Sequence, residues 1–432
     1  MNTPICDFVK EYEKKGTLRL HMPGHKGLGD VEKYDITEIE GADVLYNAKG
    51  IIKESEDNAS SLFGTAKTLY STEGSSLCIR AMLFLAKLYG KKPLIAAGRN
   101  AHKAFMSAAA LCDFEVDWLC PENAGVISCE ITPDFVENYL ANNKPSAVYI
   151  TSPDYLGNVL PVGEIAKVCH KHGVLLLVDN AHGAYMRFLE KDAHPITLGA
   201  DMCCDSAHKT LPVLTGGAYL HISENADKML CEQAENALSL FASTSPSYLI
   251  LQSLDKANEY LETYGEKLKS FEKSVLQLKE SLAGYNLVGD EPLKITIQTK
   301  PYGYTGDEFV KLLEKQGVVC EFSDPDYTVM MLTPETDLSR LSKALVSIPK
   351  REAITEKAPP LTVCEKVLSI REAVFSPSEE LPVTLCNGRV LADTAVSCPP
   401  AIPIVVCGER IDKKAVKLFK YYGINSCRVV KK

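Results

Sequence analysis

The chain has a single tryptophan in 432 residues, no surplus of positive charge, and no apolar run of bilayer length. Each scarcity excludes something. Asp and Glu number 56 against 47 Lys and Arg, leaving a net charge of −9 spread without blocks, so no nucleic-acid surface is expected. The longest apolar runs, such as 174–178 and 402–407, fall far short of the roughly 20 residues a membrane helix needs, so no membrane partner is expected. No apolar stretch follows a basic start, so no secretory signal is expected and a cytoplasmic setting fits. No GxGxxG follows a strand, which counts against a nucleotide-binding Rossmann enzyme. There is no CxxC pair among the 15 cysteines, which read as reduced, mostly buried thiols and not as a disulfide scaffold. No repeat or low-complexity tract is present. What remains is 46% apolar and 24% charged, an ordinary globular composition at a length that calls for two or three packed units.

Apolar runs of strand length alternate with amphipathic segments of helix length. Strands are expected at 92–97, 115–119, 146–151 and 174–179. Helices are expected at 101–111, at 132–141 with Thr132 capping and Pro133 in first position, and at 162–172. The strands are apolar throughout, as when helices cover both faces of a parallel sheet. A long helical stretch is expected from 245 to 282. After Gly284 the pattern predicts a small α/β domain, with strands at 293–299, 318–322 and 328–332 and a helix at 305–316. Pro359-Pro360 marks a linker before a tail unit. The expected division is an N-terminal arm (1–49), a large domain (50–284), a small α/β domain (285–350) and a C-terminal domain (351–432).

In such a sheet ligands bind beyond the carboxyl ends of the strands, so the residues there matter most. Thr72-Glu73-Gly74-Ser75-Ser76 opens a helix over 77–88 and offers N–H groups, hydroxyls and a positive dipole end suited to phosphate; a plain helix cap is the competing reading. His102 follows the next strand, where it could lie against an aromatic ring or simply cap a helix. Thr151 ends another and could meet a phenolic oxygen. Val178-Asp179-Asn180-Ala181-His182-Gly183 ends the next, and Asp205-Ser206-Ala207-His208-Lys209-Thr210 comes after. A Lys just past a Ser and a His, downstream of an Asp at a strand end, is what pyridoxal phosphate chemistry needs. The Lys forms the Schiff base, the Asp holds the pyridinium nitrogen, and the hydroxyl and imidazole reach the phosphate. Groups fitting one cofactor thus stand in five successive connections.

These residues, with several further motifs, resemble the Orn/Lys/Arg decarboxylase family of fold-type I pyridoxal phosphate enzymes over nearly the whole length. His21-Met22-Pro23-Gly24-His25-Lys26-Gly27 is similar to the family's PGHKxG element, and Asp35-Ile36-Thr37-Glu38 with Gly41-Ala42-Asp43 to its D-x-T-E and G-L-D-D segment. Ser243-Thr244-Ser245-Pro246-Ser247-Tyr248 matches its S-T-S-P-S-Y stretch. Ser369-Ile370-Arg371-Glu372-Ala373 and Pro399-Pro400-Ala401-Ile402-Pro403 resemble its C-terminal domain. The resemblance implies an α/β fold: a fold-type I large domain with a mostly parallel sheet, a small α/β domain and a C-terminal domain, in a short form without the N-terminal wing.

It also implies roles. Lys209 carries the cofactor and Asp179 keeps its ring nitrogen protonated. His102 stacks on the ring. Gly74, Ser75, Ser76, Ser206 and His208 bind phosphate, Thr151 and His182 join the cofactor contacts, and Thr244 reaches the phosphate from a neighbouring subunit. His208 or Lys209 returns the proton to Cα. The implied assembly is at least a homodimer with sites at the interface, and the implied activity is decarboxylation of a basic amino acid in polyamine metabolism. Glu409 is a candidate partner for the cationic side chain. His21 and His25 stand at HxxxH spacing, but Pro23 and Gly24 argue against a helical zinc site, so no metal is expected.

The chain departs from the family at Val44, at Thr215-Gly216-Gly217 where T-Q-S is usual, and in the tail at Ala401 and Cys407-Gly408-Glu409. Other reactions therefore stay open: a fold-type I aminotransferase or aldolase, or a cofactor-binding regulatory protein without turnover. An aminotransferase needs an Arg for the substrate carboxylate, and between 285 and 350 only Arg340 is available.

Overall fold

The computed structural model describes all residues except 91, 123, 395, 396, 399, 400 and 432, so Pro399 and Pro400 of the tail motif lie outside the described residues. The chain divides into two compact units, Met1–Lys91 with Val162–Lys269, and Lys92–Pro161 with Ser270–Lys432. Seven short strands carry the α/β core: β1 (Lys67–Ser71), β2 (Leu94–Gly98), β3 (Glu115–Leu119), β4 (Ala147–Thr151), β5 (Leu175–Asp179), β6 (Met202–Asp205) and β7 (Ala218–Ile222).

In the first unit the order is β1-β7-β6-β5. β5 and β6 are parallel, with Asp179 opposite Cys204; β7 is antiparallel to β6 and to β1. Every residue of β5, β6 and β7 is buried, and β5 reads as an unbroken apolar run up to Asp179. β1, β6 and β7 were not foreseen, because polar residues interrupt them: Thr68 in β1, Asp205 at the end of β6 and His221 within β7. Helix Lys228–Ser239, capped by Asp227 through Met229 N, was also not foreseen. The expected helix over 245–282 is two helices, Tyr248–Leu261 and Tyr264–Ser281.

In the second unit β2 pairs in parallel with both β3 and β4. Helix Pro133–Leu140 starts as its sequence predicts, with Pro133 in first position and Thr132 Oγ1 accepting from Phe135 N at 3.2 Å. Four further strands, β8 (Asn286–Val288), β9 (Lys294–Gln298), β10 (Phe322–Ser323) and β11 (Tyr327–Met331), form an antiparallel sheet in the order β10-β11-β9-β8. The strand expected at 318–322 is largely absent, because those residues close the preceding helix, Gly306–Glu314. Gly317 takes a left-handed φ of 71°, and Val318 N donates back to Leu313 O at 3.0 Å, leaving Val319 exposed. Helix Leu338–Val346, capped by Asp337, was likewise not foreseen. The tail packs helix Lys413–Tyr421 and strands Ser378–Pro382 and Ser426–Val430 around Leu391, Ile411, Phe419 and Val429. Among the described residues no helix is long and apolar enough to cross a membrane.

Candidate active site

Three turns of the first unit bring the predicted groups together. The first follows β1. Gly74 caps helix Ser75–Tyr89 at φ 72°, and its N–H donates to Gly216 O at 2.7 Å. Ser71 Oγ donates to Gly74 O at 3.0 Å. The helix end, which has no side-chain cap, presents the Ser75 and Ser76 hydroxyls beside its first-turn N–H groups, the geometry that attracts an anion.

The second turn follows β6. Ser206, buried, donates from Oγ to Ser75 Oγ at 2.9 Å, joining the lysine loop to the helix N-terminus. His208 Nδ1 is 2.9 Å from Gly217 O, and because a carbonyl only accepts, Nδ1 carries the hydrogen. Gly216 and Gly217, among the departures from the family pattern, are therefore built into the site. Gly216 has φ 102°, and a Cβ there would lie 2.8 Å from Thr72 O, too close for any L side chain without movement.

The third turn follows β5. Asp179, 3% exposed at the strand end, accepts at Oδ1 from Ala181 N at 3.2 Å and from Cys204 Sγ at 3.7 Å. Burial and then the Asp179 charge push the Cys204 thiol well above its ordinary value, so it stays protonated and donates. Three residues on, His182 places Nε2 2.9 Å from Lys209 Nζ. The hydrogen bonds thus connect His182 to Lys209 and Ser206 to Ser75, within two turns of adjacent parallel strands and one helix end.

Thr244 is exposed; next to it, Ser243 N donates to Glu73 Oε1 at 2.7 Å, which holds this segment against the Gly74 turn of the same chain. His102 and Thr151 belong to the second unit. His102 caps helix Lys103–Cys112, its Nδ1 accepting from Ala104 N at 3.1 Å, and this fixes the ring. Thr151 ends β4 with a buried Oγ1 that has no hydrogen-bond partner among the described residues. In the N-terminal arm, His21 meets Tyr12 and His25 meets Asp35 across a loop, not on a helix.

Glu409, expected to face a cationic substrate, is instead a buried partner of Arg99. The guanidinium lies 3.8 Å from Glu409 Oε2 and donates to Pro403 O and Ile404 O, while Val406 N donates to Glu409 Oε2 at 2.9 Å. Burial raises its carboxyl, against the lowering pull of Arg99 and Val406 N–H, so the group is engaged inside the fold. Arg340, the residue an aminotransferase would need, donates to Gly317 O at 3.0 Å and so serves the end of the preceding helix.

Sequence reading missed one cluster. Asp205 Oδ2 lies 3.0 Å from His194 Nε2 and 3.2 Å from His221 Nε2, all three side chains fully buried. The three potential ligand atoms fall within 4.8 Å of one another, a donor set of metal-binding type. Hydrogen bonding already accounts for it: the Asp205 carboxylate only accepts, so His221 donates from Nε2, its Nδ1 meets Thr68 Oγ1 at 2.9 Å, and Asn180 Nδ2 donates to the other Asp205 oxygen at 2.6 Å. Burial alone would raise the Asp205 carboxyl, but the two imidazoles outweigh it and hold the group far below the usual carboxylate range. Burial pushes the His221 imidazole below its ordinary value, so the ring is neutral and donates to an ionised Asp205. The spacings of 11 and 16 residues follow no local motif; the pairing of β6 with β7 brings Asp205 near His221, and His194 joins them from the residue that precedes helix Pro195–Leu198.

Known proteins resemble this chain over its whole length. The profile of the Orn/Lys/Arg decarboxylase major domain matches residues 3–283, and that of the family's C-terminal domain matches residues 352–427. An arginine decarboxylase of Halalkalibacterium halodurans is 30% identical over 95% of this chain and 91% of its own. An arginine decarboxylase of Bacillus subtilis is 29% identical over 97% and 93%. The structure of lysine decarboxylase A from Pseudomonas aeruginosa superposes with a TM-score of 0.80, covering 99% of this chain and 80% of that one at 16% identity, and so shares the fold. The chain, through both its major and its C-terminal domain, belongs to the Orn/Lys/Arg decarboxylase family.

Proposed function

We propose that the protein is a pyridoxal phosphate-dependent decarboxylase that converts a basic amino acid (arginine, lysine or ornithine) to its amine and CO₂. The observation that carries this reading is Lys209 Nζ at 2.9 Å from His182 Nε2, in a loop whose Ser206 bonds Ser75 at an open helix N-terminus. The residues present fit the cofactor. The helix end and the Ser75, Ser76 and Ser206 hydroxyls would hold its phosphate, Lys209 its aldehyde carbon, and Asp179 its ring nitrogen. The resemblance would add His102 and Thr151 to the residues that contact the cofactor. When bound, the cofactor supplies the electron sink for the pair left as CO₂ departs.

The chain's own groups do the rest. Asp179, desolvated and fixed by Ala181 N and Cys204 Sγ, offers a negative charge that favours a protonated ring nitrogen. His182 orients the Lys209 amine. Lys209 or His208 returns a proton to Cα; Nδ1 of His208 is engaged with Gly217, so its Nε2 is the nitrogen for that task. Leu18, Leu20, Leu28 and Val31 of the arm are each more than half exposed, apolar surface that a second copy of the chain would cover, in keeping with a homodimer.

The test is to incubate the cofactor-loaded protein separately with arginine, lysine and ornithine and to measure CO₂ and amine together. Equimolar release of both from one substrate is expected. Amino transfer to a keto acid without CO₂ would identify an aminotransferase, and cofactor binding without any turnover would identify a regulatory protein.

A further inference from the structure

The buried His194–Asp205–His221 cluster contains none of the groups assigned to the cofactor, yet it lies one hydrogen bond from two of the turns that carry them. Asp205 immediately precedes Ser206 and the Lys209 loop; Asn180 immediately follows Asp179 and belongs to the turn that carries His182. The Asn180 side chain donates to Asp205 Oδ1 at 2.6 Å, and its backbone N–H donates to Cys204 O at 3.0 Å. Asn180 O closes the turn by accepting from Gly183 N at 2.8 Å. Gly183 is required there, since a Cβ would lie 2.1 Å from Asn180 Oδ1. On its other oxygen Asp205 is gripped by the two imidazoles, which Phe63 flanks with ring centroids at 5.5 and 4.5 Å. A carboxylate fixed by three donors in a buried interior has one orientation, and so does whatever is bonded to it.

We propose that Asn180 and Asp205, with His194 and His221 behind them, are positioning residues that lock the 179–183 turn against the 206–209 loop and so set the approach of His182 to Lys209. The value of this lock to the reaction rests on the proposed function, but the lock itself is a property of the chain and can be read without turnover.

The decisive variant is Asn180→Ala, which removes the tie and leaves Asp205 its two imidazoles. Asp205→Ala would strand two buried imidazole donors and could fail to fold. Thr68→Val serves as the control, because it takes a hydrogen bond from His221 but spares the tie. In the full-length cofactor-free protein, the pH dependence of Lys209 modification by an amine reagent, followed by peptide mass mapping, reports on the His182–Lys209 pair. Pyridoxal phosphate affinity is measured separately by absorbance titration. Asn180→Ala is expected to displace the Lys209 pH midpoint and to weaken cofactor binding about tenfold, as loss of one charge-assisted hydrogen bond would. Thr68→Val is expected to lower the melting temperature and leave the midpoint in place. A wild-type midpoint and affinity in Asn180→Ala, or equal displacement in both variants, would overturn the proposal. Wild-type protein that binds no pyridoxal phosphate would instead overturn the proposed function, while the Lys209 profile would still judge the lock.

Discussion

Asp179 is a single carboxylate with a demanding task. On the proposed function it must keep its charge at 3% exposure, and its supports include two donors on Oδ1, Ala181 N–H and the Cys204 thiol. Asn in its place has nearly the same shape and still accepts at Oδ1, so the fold should hold, but no negative charge faces the ring nitrogen. Losing a charge-assisted hydrogen bond costs about 2–3 kcal/mol before the weaker electron sink is counted. Asp179→Asn is therefore expected to melt close to the wild type and to lose about 97–99% of turnover from that energy alone. Melting curves and amine release measured on one preparation check both halves. Normal turnover would mean that the ring nitrogen is protonated by some other means. Lys209 has its own direct check: borohydride reduction of the loaded protein and peptide mapping should place the pyridoxyl group on Lys209 and on no other lysine.

At the scale of elements, helix Ile51–Phe63 is joined to β1 by an ionisable group where a neutral one would suffice. Glu56, 3% exposed, accepts at Oε1 from Tyr70 N at 2.9 Å. Burial pushes its carboxyl up to about 8, against the lowering pull of that N–H. The native state therefore keeps a proton that the unfolded chain releases near its ordinary value of 4.5. The linkage sign follows: this contribution is fully present below pH 4.5 and is lost as pH rises through about 8. Glu56→Gln keeps the acceptor and removes the titration. Denaturant midpoints of both proteins from pH 5 to 9 should diverge in favour of the variant as pH rises. Titrations shared by both, such as those of His221 and Asp324, cancel in the difference. Parallel curves would show that Glu56 does not titrate in this window.

For the whole molecule the open matter is whether each site is complete within one chain. Ser243 is tied to Glu73 of its own chain, next to the Gly74 turn, so the segment bearing Thr244 is anchored at home while Thr244 itself is exposed. The arm that carries His25 shows exposed Leu18, Leu20 and Leu28. If Thr244 or His25 serves the neighbouring copy, mixing Lys209→Ala subunits with Thr244→Ala or His25→Ala subunits gives dimers with one doubly damaged site and one intact site. Recovery of up to about half of wild-type activity per mixed dimer is expected on that arrangement. No recovery, with subunit exchange shown by mass, would place each site within one chain.

The sequence by itself determined the βα rhythm, the cap and first turn of helix Pro133–Leu140, the strand-end placement of Asp179 and Thr151, and the family, because these depend on short-range periodicity and on local motifs. It also located the Gly74, Ser206 and Lys209 turns, whose chemistry is written in consecutive residues. Tertiary structure alone decided the rest. Val318 and its neighbours have strand composition yet finish a helix, because Gly317 ahead of them adopts a left-handed turn. Glu409 looks like a spare charge until Arg99, 310 positions away, is found beside it. His194, Asp205 and His221 share no local pattern, and Asn180 is an ordinary turn residue until its amide is seen to reach Asp205. Long-range pairing of buried polar groups is fixed by strand order and packing, and hydropathy periodicity carries no record of which distant partner a buried charge will meet.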